Sequence, residues 1–306
     1  MIMWKDLLQQ LQQGDIKALA RSISFVENEY PGYEKLLQLL PSNQHSKIIG
    51  ITGPPGAGKS TLVDSLIGLI VDSGKRIAVL CIDPSSPFNF GALLGDRIRM
   101  SEWYTHPKVF IRSIATRGSM GGLNPKIIEL TDLLKAACYD HIIIETVGVG
   151  QSEIEIAGLA DTTVVVLVPE AGDEVQTMKA GLMEIADIFV VNKSDRPGAD
   201  VFVKNLRQML SPALSTYKKE VPVMKTIASR KEGVHELFEK IQLLQSNTIN
   251  LERRLWLLTE KAWQLIQNKR MADLSKSAIK DKIAEACKKN DFNLYEFIYS
   301  ITGSRK

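Results

Sequence analysis

The sequence predicts an α/β fold: a P-loop nucleotide-binding domain with a mainly parallel, helix-flanked sheet, plus N-terminal and C-terminal helical extensions. Three observations predict it. Short β-rich runs alternate with helical patterns from residue 47 to about 243, several of those runs are apolar without alternation, and a glycine-rich GPPGAGKST segment follows the first of them. Apolar runs without alternation suit strands covered on both faces. Strands separated by ten or more helical residues imply right-handed crossovers between parallel neighbours.

Residues 1–45 read as helices. Trp4, Leu7, Leu8 and Leu11 share one face, and Ile16, Leu19, Ala20 and Ile23 follow after Gly14. Pro31-Gly32 interrupts the pattern before a last apolar group ends at Pro41. The strand candidates are 47–52, 76–83, 109–114, 141–146, 162–169, 188–193 and 222–227. Beyond about 247 the strands stop, and LERRLWLLTEKAWQLIQNKR opens a helical tail. The expected division is 1–45, an N-terminal helical extension; 46–245, the nucleotide-binding domain; and 246–306, a C-terminal helical arm.

Of the 306 residues 44% are hydrophobic and 24% charged, enough apolar material for a core. A net charge of +3, with basic residues scattered, argues against nucleic acid or a membrane surface as partner. Cys81, Cys138 and Cys287 are odd in number and far apart, which points to reduced thiols and a cytoplasmic protein. The N-terminus carries no signal or transit pattern, and no run approaches the length of a membrane span.

Gly53-Pro54-Pro55-Gly56-Ala57-Gly58-Lys59-Ser60, followed by Thr61, matches the P-loop pattern between a strand and a helix. Glycines let the backbone turn its N–H groups around phosphate oxygens, and the helix N-terminus adds partial positive charge. Lys59 is expected at the β- and γ-phosphates, with Ser60 on Mg²⁺.

A P-loop does not choose between ATP and GTP. Asn192-Lys193-Ser194-Asp195 does, because a carboxylate at Asp195 accepts from both the N1–H and the exocyclic amine of guanine, which adenine does not match. Asn192 is expected at the other edge of the base and the Lys193 stem over it. Ala228-Ser229-Arg230, after the last strand, is a second base-side loop whose backbone N–H would meet the guanine O6. GTP and GDP are thus the expected ligands.

Asp83 ends the second strand run, where doubly wound sheets hold ligands, though a turn former fits the same place. Asp96 stands in GDRIRM. Glu145-Thr146-Val147-Gly148 occupies the place of an Asp-x-x-Gly element, so Glu145 is expected to act on Mg²⁺ through water and the Gly148 N–H to sense the γ-phosphate. Gln151 fits the orientation of the attacking water, or equally the start of a helix. Asp173 and Lys179 lie on the same rim, where an ordinary start of a helix also fits.

Taken together, GPPGAGKST, DPSSPF…GDRIRM, RSIATRGSMGG, ETVGVGQSE, AGDEVQTMK and VVNKSD resemble the MeaB/ArgK/MMAA family of G-protein chaperones, over nearly the whole chain. The resemblance implies a GTPase that gates adenosylcobalamin loading and protection of an acyl-CoA mutase, methylmalonyl-CoA mutase above all. It implies magnesium-region acids at Asp83, Asp96 and Glu145, and switches at about 83–100, 145–157 and 170–179, the last holding Asp173 and Lys179. It also implies a homodimer formed through the C-terminal arm. Phe88 to Leu94 departs from the Gly/Thr/Ser-rich loop of that family, which leaves the mutase served open.

Three other readings compete. A metal-insertion GTPase needs clustered thiols or imidazoles, whereas His45, His106, His141 and His235 are dispersed and Cys81 stands alone. A kinase or transport ATPase does not account for NKSD. A nucleotide-binding scaffold without hydrolysis does not account for Lys59, Ser60 and the acids.

Overall fold

The structure, a computed structural model, describes residues 4–41, 45–83, 100–116, 123–146, 152–170, 185–210, 221–247, 251–271, 274–288 and 292–303. Asp96, Gly148, Gln151, Asp173 and Lys179 lie outside the described residues. The chain divides into two compact units, Met1–Arg254 and Leu255–Lys306.

The first unit begins with three helices, α1 (Trp4–Gln12), α2 (Ile16–Glu27) and α3 (Tyr33–Gln38). Leu7 and Leu11 are buried one turn apart on α1, and the Asp15 carboxylate caps α2 by accepting from the N–H groups of Lys17 and Ala18. There follow β1 (Lys47–Thr52), α4 (Lys59–Asp72), β2 (Ile77–Asp83), β3 (Val109–Ala115), α5 (Ile127–Ala136), β4 (His141–Glu145), α6 (Ser152–Leu159), β5 (Thr162–Leu167), β6 (Ile188–Val191), α7 (Ala199–Met209), β7 (Val223–Lys225) and α8 (Val234–Asn247). All seven strand candidates are strands, and they form one sheet in the order β3-β2-β4-β1-β5-β6-β7 with every pairing parallel.

The sheet is buried on both faces, which is why its strands read as continuous apolar runs. On one face Ile49, Ile51, Val79, Ile143, Val164 and Val190 pack on α4 and α8 through Leu62, Leu66, Phe238 and Ile241. On the other, Ile48, Leu80, Ile142 and Ile144 pack on the N-terminal helices and α5 through Leu11, Leu19, Ile23, Leu36, Leu130 and Leu134. The N-terminal helices therefore share the core of the sheet. Each fully buried Ile or Leu of this kind contributes about 2 kcal/mol. Beyond β5, α7 covers Val165, Phe189 and Val191 with Phe202, Val203 and Leu206.

A central β1, with β4 on one side and β5 on the other, places the loop after β1 at the middle of the sheet's C-terminal edge. That edge is where open parallel sheets bind ligands.

Helix α9 (Leu251–Arg270) starts in the first unit, where Arg253 donates to the Ile185 carbonyl at 3.2 Å and lies 3.7 Å from Asp187. The second unit contains the rest of α9, α10 (Lys276–Ala286) and α11 (Leu294–Thr302). It carries large apolar side chains on its surface: Trp256, Trp263 and Ile266 on α9, and Leu294, Tyr295, Ile298 and Tyr299 on α11, with Tyr295 81% exposed. No helix among the described residues is long and apolar enough to cross a membrane.

Candidate functional site

Residues 53–58 join β1 to α4 in a loop whose backbone only glycine adopts without strain at two decisive points. Gly53 has φ 138°, and a Cβ there would run into the Val166 carbonyl oxygen of the neighbouring strand. Gly58 has φ 86° at the N-cap of α4, and a Cβ there would run into the Asn192 side-chain nitrogen. Ala57 is fully buried in the core and anchors the loop, while Pro55 and Gly56 stay exposed at its crest. The Lys59 ammonium is folded back over the loop and donates to the carbonyls of Gly53 at 2.8 Å and Pro54 at 3.0 Å. Thr61 continues the first turn of α4, and its carbonyl accepts the Ser65 hydroxyl.

One strand away, β4 ends in Glu145, whose Cα pairs with those of Ile51 on β1 and Cys81 on β2. The carboxylate is buried, accepts the Ser60 hydroxyl at 2.6 Å through Oε1, and has the Cys81 thiol 4.0 Å from Oε2. The next residue, Thr146, donates its N–H to the Ile51 carbonyl and its hydroxyl to that of Thr52, so the end of β4 is stitched to the end of β1. Asp83 ends β2, with its Cα opposite Ala115.

The other half of the site lies across β5. Asn192 is 2% exposed, and its amide nitrogen donates to the Ala57 carbonyl at 2.9 Å. Its amide oxygen accepts from the Thr226 hydroxyl and the Ala228 N–H, both at 3.1 Å. One side chain thus ties the phosphate loop to the loop after β7. Lys193, at φ 55°, reaches over the crest and donates to the Gly56 carbonyl at 2.7 Å. Asp195 is partly exposed and lies 3.7 Å from the Arg230 guanidinium.

Of the three N–H groups in Ala228-Ser229-Arg230, that of Ala228 goes to Asn192 and that of Arg230 to the Ile227 carbonyl. Among the described residues, Ser229 is therefore the one of the three whose N–H is not already engaged. The Ala228 carbonyl accepts the Ser65 hydroxyl of α4 at 2.8 Å, which fixes this loop against the phosphate loop's own helix.

The fold thus brings Lys59 and Ser60 together with Glu145, and Asn192 and Lys193 together with the crest of the phosphate loop. Asp195 faces Arg230 on the same rim. Thr226 and Ser65 take part in the scaffold of the site and were not singled out by sequence, because a Thr just past a strand and a Ser in a helix are ordinary residues. Among the described residues no group of three or more His, Cys, Asp or Glu side chains could hold a metal. What the site offers is two hard oxygen donors, the hydroxyl of Ser60 and the carboxylate of Glu145. That suits Mg²⁺, which takes few protein ligands and keeps water and phosphate oxygens.

A family model described as Methylmalonyl Co-A mutase-associated GTPase MeaB matches residues 19–284. The chain belongs to the MeaB family of GTPases. It is 48% identical over 241 residues to a protein of Pyrococcus horikoshii that carries a GTPase name, covering 78% of this chain and 76% of that one. It is 36% identical over 244 residues to GTPase ArgK of Escherichia coli K12, covering 76% and 73% of the two chains. A crystal structure titled LAO/AO transport system kinase covers 99% of this chain and 98% of its own at a TM-score of 0.70 and 24% identity, and shows the shared fold. Asn192 and Glu145 lie in two of the segments that carried the resemblance, VVNKSD and ETVGVGQSE.

Proposed function

We propose that this MeaB-family GTPase is the timing component of a cobalamin enzyme system: it binds and hydrolyses GTP to gate the loading and protection of an adenosylcobalamin-dependent acyl-CoA mutase. The observation that carries the nucleotide half is the joint placement of the phosphate loop, the buried Ser60–Glu145 pair and the Asn192 clamp at one edge of the sheet. The mutase half rests on the description of the family model, methylmalonyl-CoA mutase being the first candidate.

The roles follow from the chemistry of each group. Backbone N–H groups of 53–61 cradle the phosphates and Lys59 moves from its own loop carbonyls to the β- and γ-oxygens. Ser60, Asp83, Asp96 and Glu145 supply the oxygens that hold Mg²⁺, Glu145 through water. Bound there, the ion would neutralise charge on the phosphate oxygens. Gln151 orients the attacking water, Gly148 senses the γ-phosphate, and Asp173 and Lys179 belong to the segment read by the partner. Asp195 reads the N1 and N2 edge of guanine, Ser229 meets its O6, and the Lys193 stem covers its face.

Residues 1–45 and 246–306 serve in this reading as helical extensions of the GTPase domain. The arm joins two copies in the cytoplasm, and the exposed apolar side chains of α9 and α11 support that assignment. The test is GTP turnover by the full chain with and without an adenosylcobalamin-dependent mutase, together with capture of partners in GDP and in a non-hydrolysable GTP analogue. Stimulated turnover and recovery of the mutase are expected. Recovery of a nickel enzyme, or tight ATP with weak GDP binding, would replace the reading.

A further inference from the structure

We propose that Glu170 is a positioning residue of the base-reading loop, holding Arg196, and that it thereby sets the lifetime of bound guanine nucleotide. The inference rests on the GTP reading above and gives Glu170, the first residue of the switch segment at about 170–179, a role toward the NKSD turn.

Parallel pairing of β5 with β6 puts the chain just past Leu167 beside the chain just past Val191. There the Arg196 guanidinium donates to the Glu170 carboxylate at 2.5 Å, across 26 residues of sequence. Arg196 also closes the loop itself, since its N–H donates to the Lys193 carbonyl at 3.0 Å. Residues 193–196 are therefore a tight turn with Lys193 at its first position, in the left-handed region, and Asp195 at its third.

Holding the last residue of such a turn limits how far the third can move. Asp195 accepts two hydrogen bonds from guanine only if its carboxylate keeps its direction, so a fixed Arg196 favours the bound geometry. Arg196 lowers the Glu170 pKa below its ordinary value by donating a hydrogen bond, and the charge of Lys193 adds to the shift, which places the base-covering lysine within the field of the same carboxylate. Lys193 in turn holds the Gly56 carbonyl at the crest of the phosphate loop. One carboxylate just past the end of β5 thus holds the last residue of the turn.

The pair is half exposed on both sides, so it adds little to global stability and its effect belongs in the local rigidity of the turn. The test uses the full chain and its Glu170→Ala, Arg196→Ala, Arg196→Lys and doubly substituted Glu170→Ala/Arg196→Ala variants. Release of a fluorescent GDP analogue and thermal melting are measured at low and high salt. Each alanine variant should release GDP roughly two- to fivefold faster than the parent at unchanged melting temperature. The double variant should be no faster than either single one, Arg196→Lys should keep most of the parent's rate, and 0.5 M salt should erase the difference. Single variants that release GDP at the parent's rate, or a double variant whose effect is the product of the two, would overturn the proposal. A parent chain that fails to bind GDP would instead sink the guanine reading on which it rests.

Discussion

The Ser60 hydroxyl donates to Glu145 at 2.6 Å although 85 residues separate them in sequence. The contact exists because β4 lies beside β1 in register, so that the first turn of the helix after β1 and the last residue of β4 share one buried edge. Replacing Glu145 by Gln keeps the size and removes the charge. GTP turnover at saturating Mg²⁺ should fall by about 100-fold or more, the scale for losing a preorganised electrostatic group. GDP affinity measured in excess chelator should stay within a few-fold of the parent. Equal losses of GDP affinity with and without Mg²⁺ would mean that Glu145 only shapes the loop.

Asn192 makes a different kind of contribution, since its amide spans Ala57, Thr226 and Ala228 from a fully enclosed position. Asn192→Ala removes three hydrogen bonds and leaves buried partners unsatisfied, which costs about 2–4 kcal/mol. Urea unfolding should show that loss, and calorimetry should show weaker GDP binding in the same variant. A variant as stable as the parent would mean that water replaces the amide.

Much of this was legible in the sequence, and the exceptions have physical causes. Seven β-rich runs became seven strands, and the several that lack polar alternation are those covered on both faces of the sheet. The run 222–227 is shorter as a strand, Val223–Lys225, although the Thr226 N–H still donates to the Val191 carbonyl of β6 at 3.0 Å. The phosphate loop and NKSD were readable because glycine and a fixed set of polar residues recur in a short window. The Ser60–Glu145 meeting was not, since strand order is a long-range property. Ala228-Ser229-Arg230 was expected to offer a backbone N–H to the base, and which of the three could not be read from sequence: hydrogen bonds within the protein engage those of Ala228 and Arg230.

Asp195 decides the base. Its carboxylate accepts from N1–H and the exocyclic amine of guanine, so Asp195→Asn should weaken GDP binding by about 100-fold or more, in line with the rejection of ligands that leave polar groups unpaired. Xanthosine diphosphate, which presents an oxygen where guanine has the amine, should bind the variant better than it binds the parent. Competition against a fluorescent GDP analogue measures both. Unchanged GDP affinity in Asp195→Asn would move the base elsewhere.

His141 gives the fold a pH dependence. Burial lowers its imidazole pKa below 6.5, the nearby charges of Lys75 and Lys47 push the same way, and Asp140 opposes them. Its Nδ1 has no hydrogen-bond partner among the described residues, and its ring meets Phe238 edge-on at 5.6 Å. The unfolded chain therefore takes up this proton near pH 6.5 while the folded chain does not, so the unfolded state binds more protons as pH falls. Stability should decline below pH 6.5 and level off once the folded-state pKa is passed, with a slope from this group of at most about 1.4 kcal/mol per pH unit. Urea unfolding at pH 7.5 and 5.5 should show a smaller decline in His141→Gln than in the parent. Equal declines would assign the pH dependence to other groups.

The second unit makes the last prediction. Trp256, Trp263, Leu265 and Ile266 on α9 are about half exposed or more, and α11 adds Tyr295 and Tyr299. A helix with so much apolar surface in water is stabilised when another surface covers it. If that surface is a second copy, light scattering of the full chain should give about twice its 34.0 kDa mass. Trp263→Asp should shift the mass toward that of one chain, because a carboxylate in an apolar contact loses its hydration without a partner. GTP binding should persist in that variant, since Trp263 lies in the second unit and the phosphate loop in the first. A parent that scatters as a single chain at micromolar concentration would instead leave this face to a different protein.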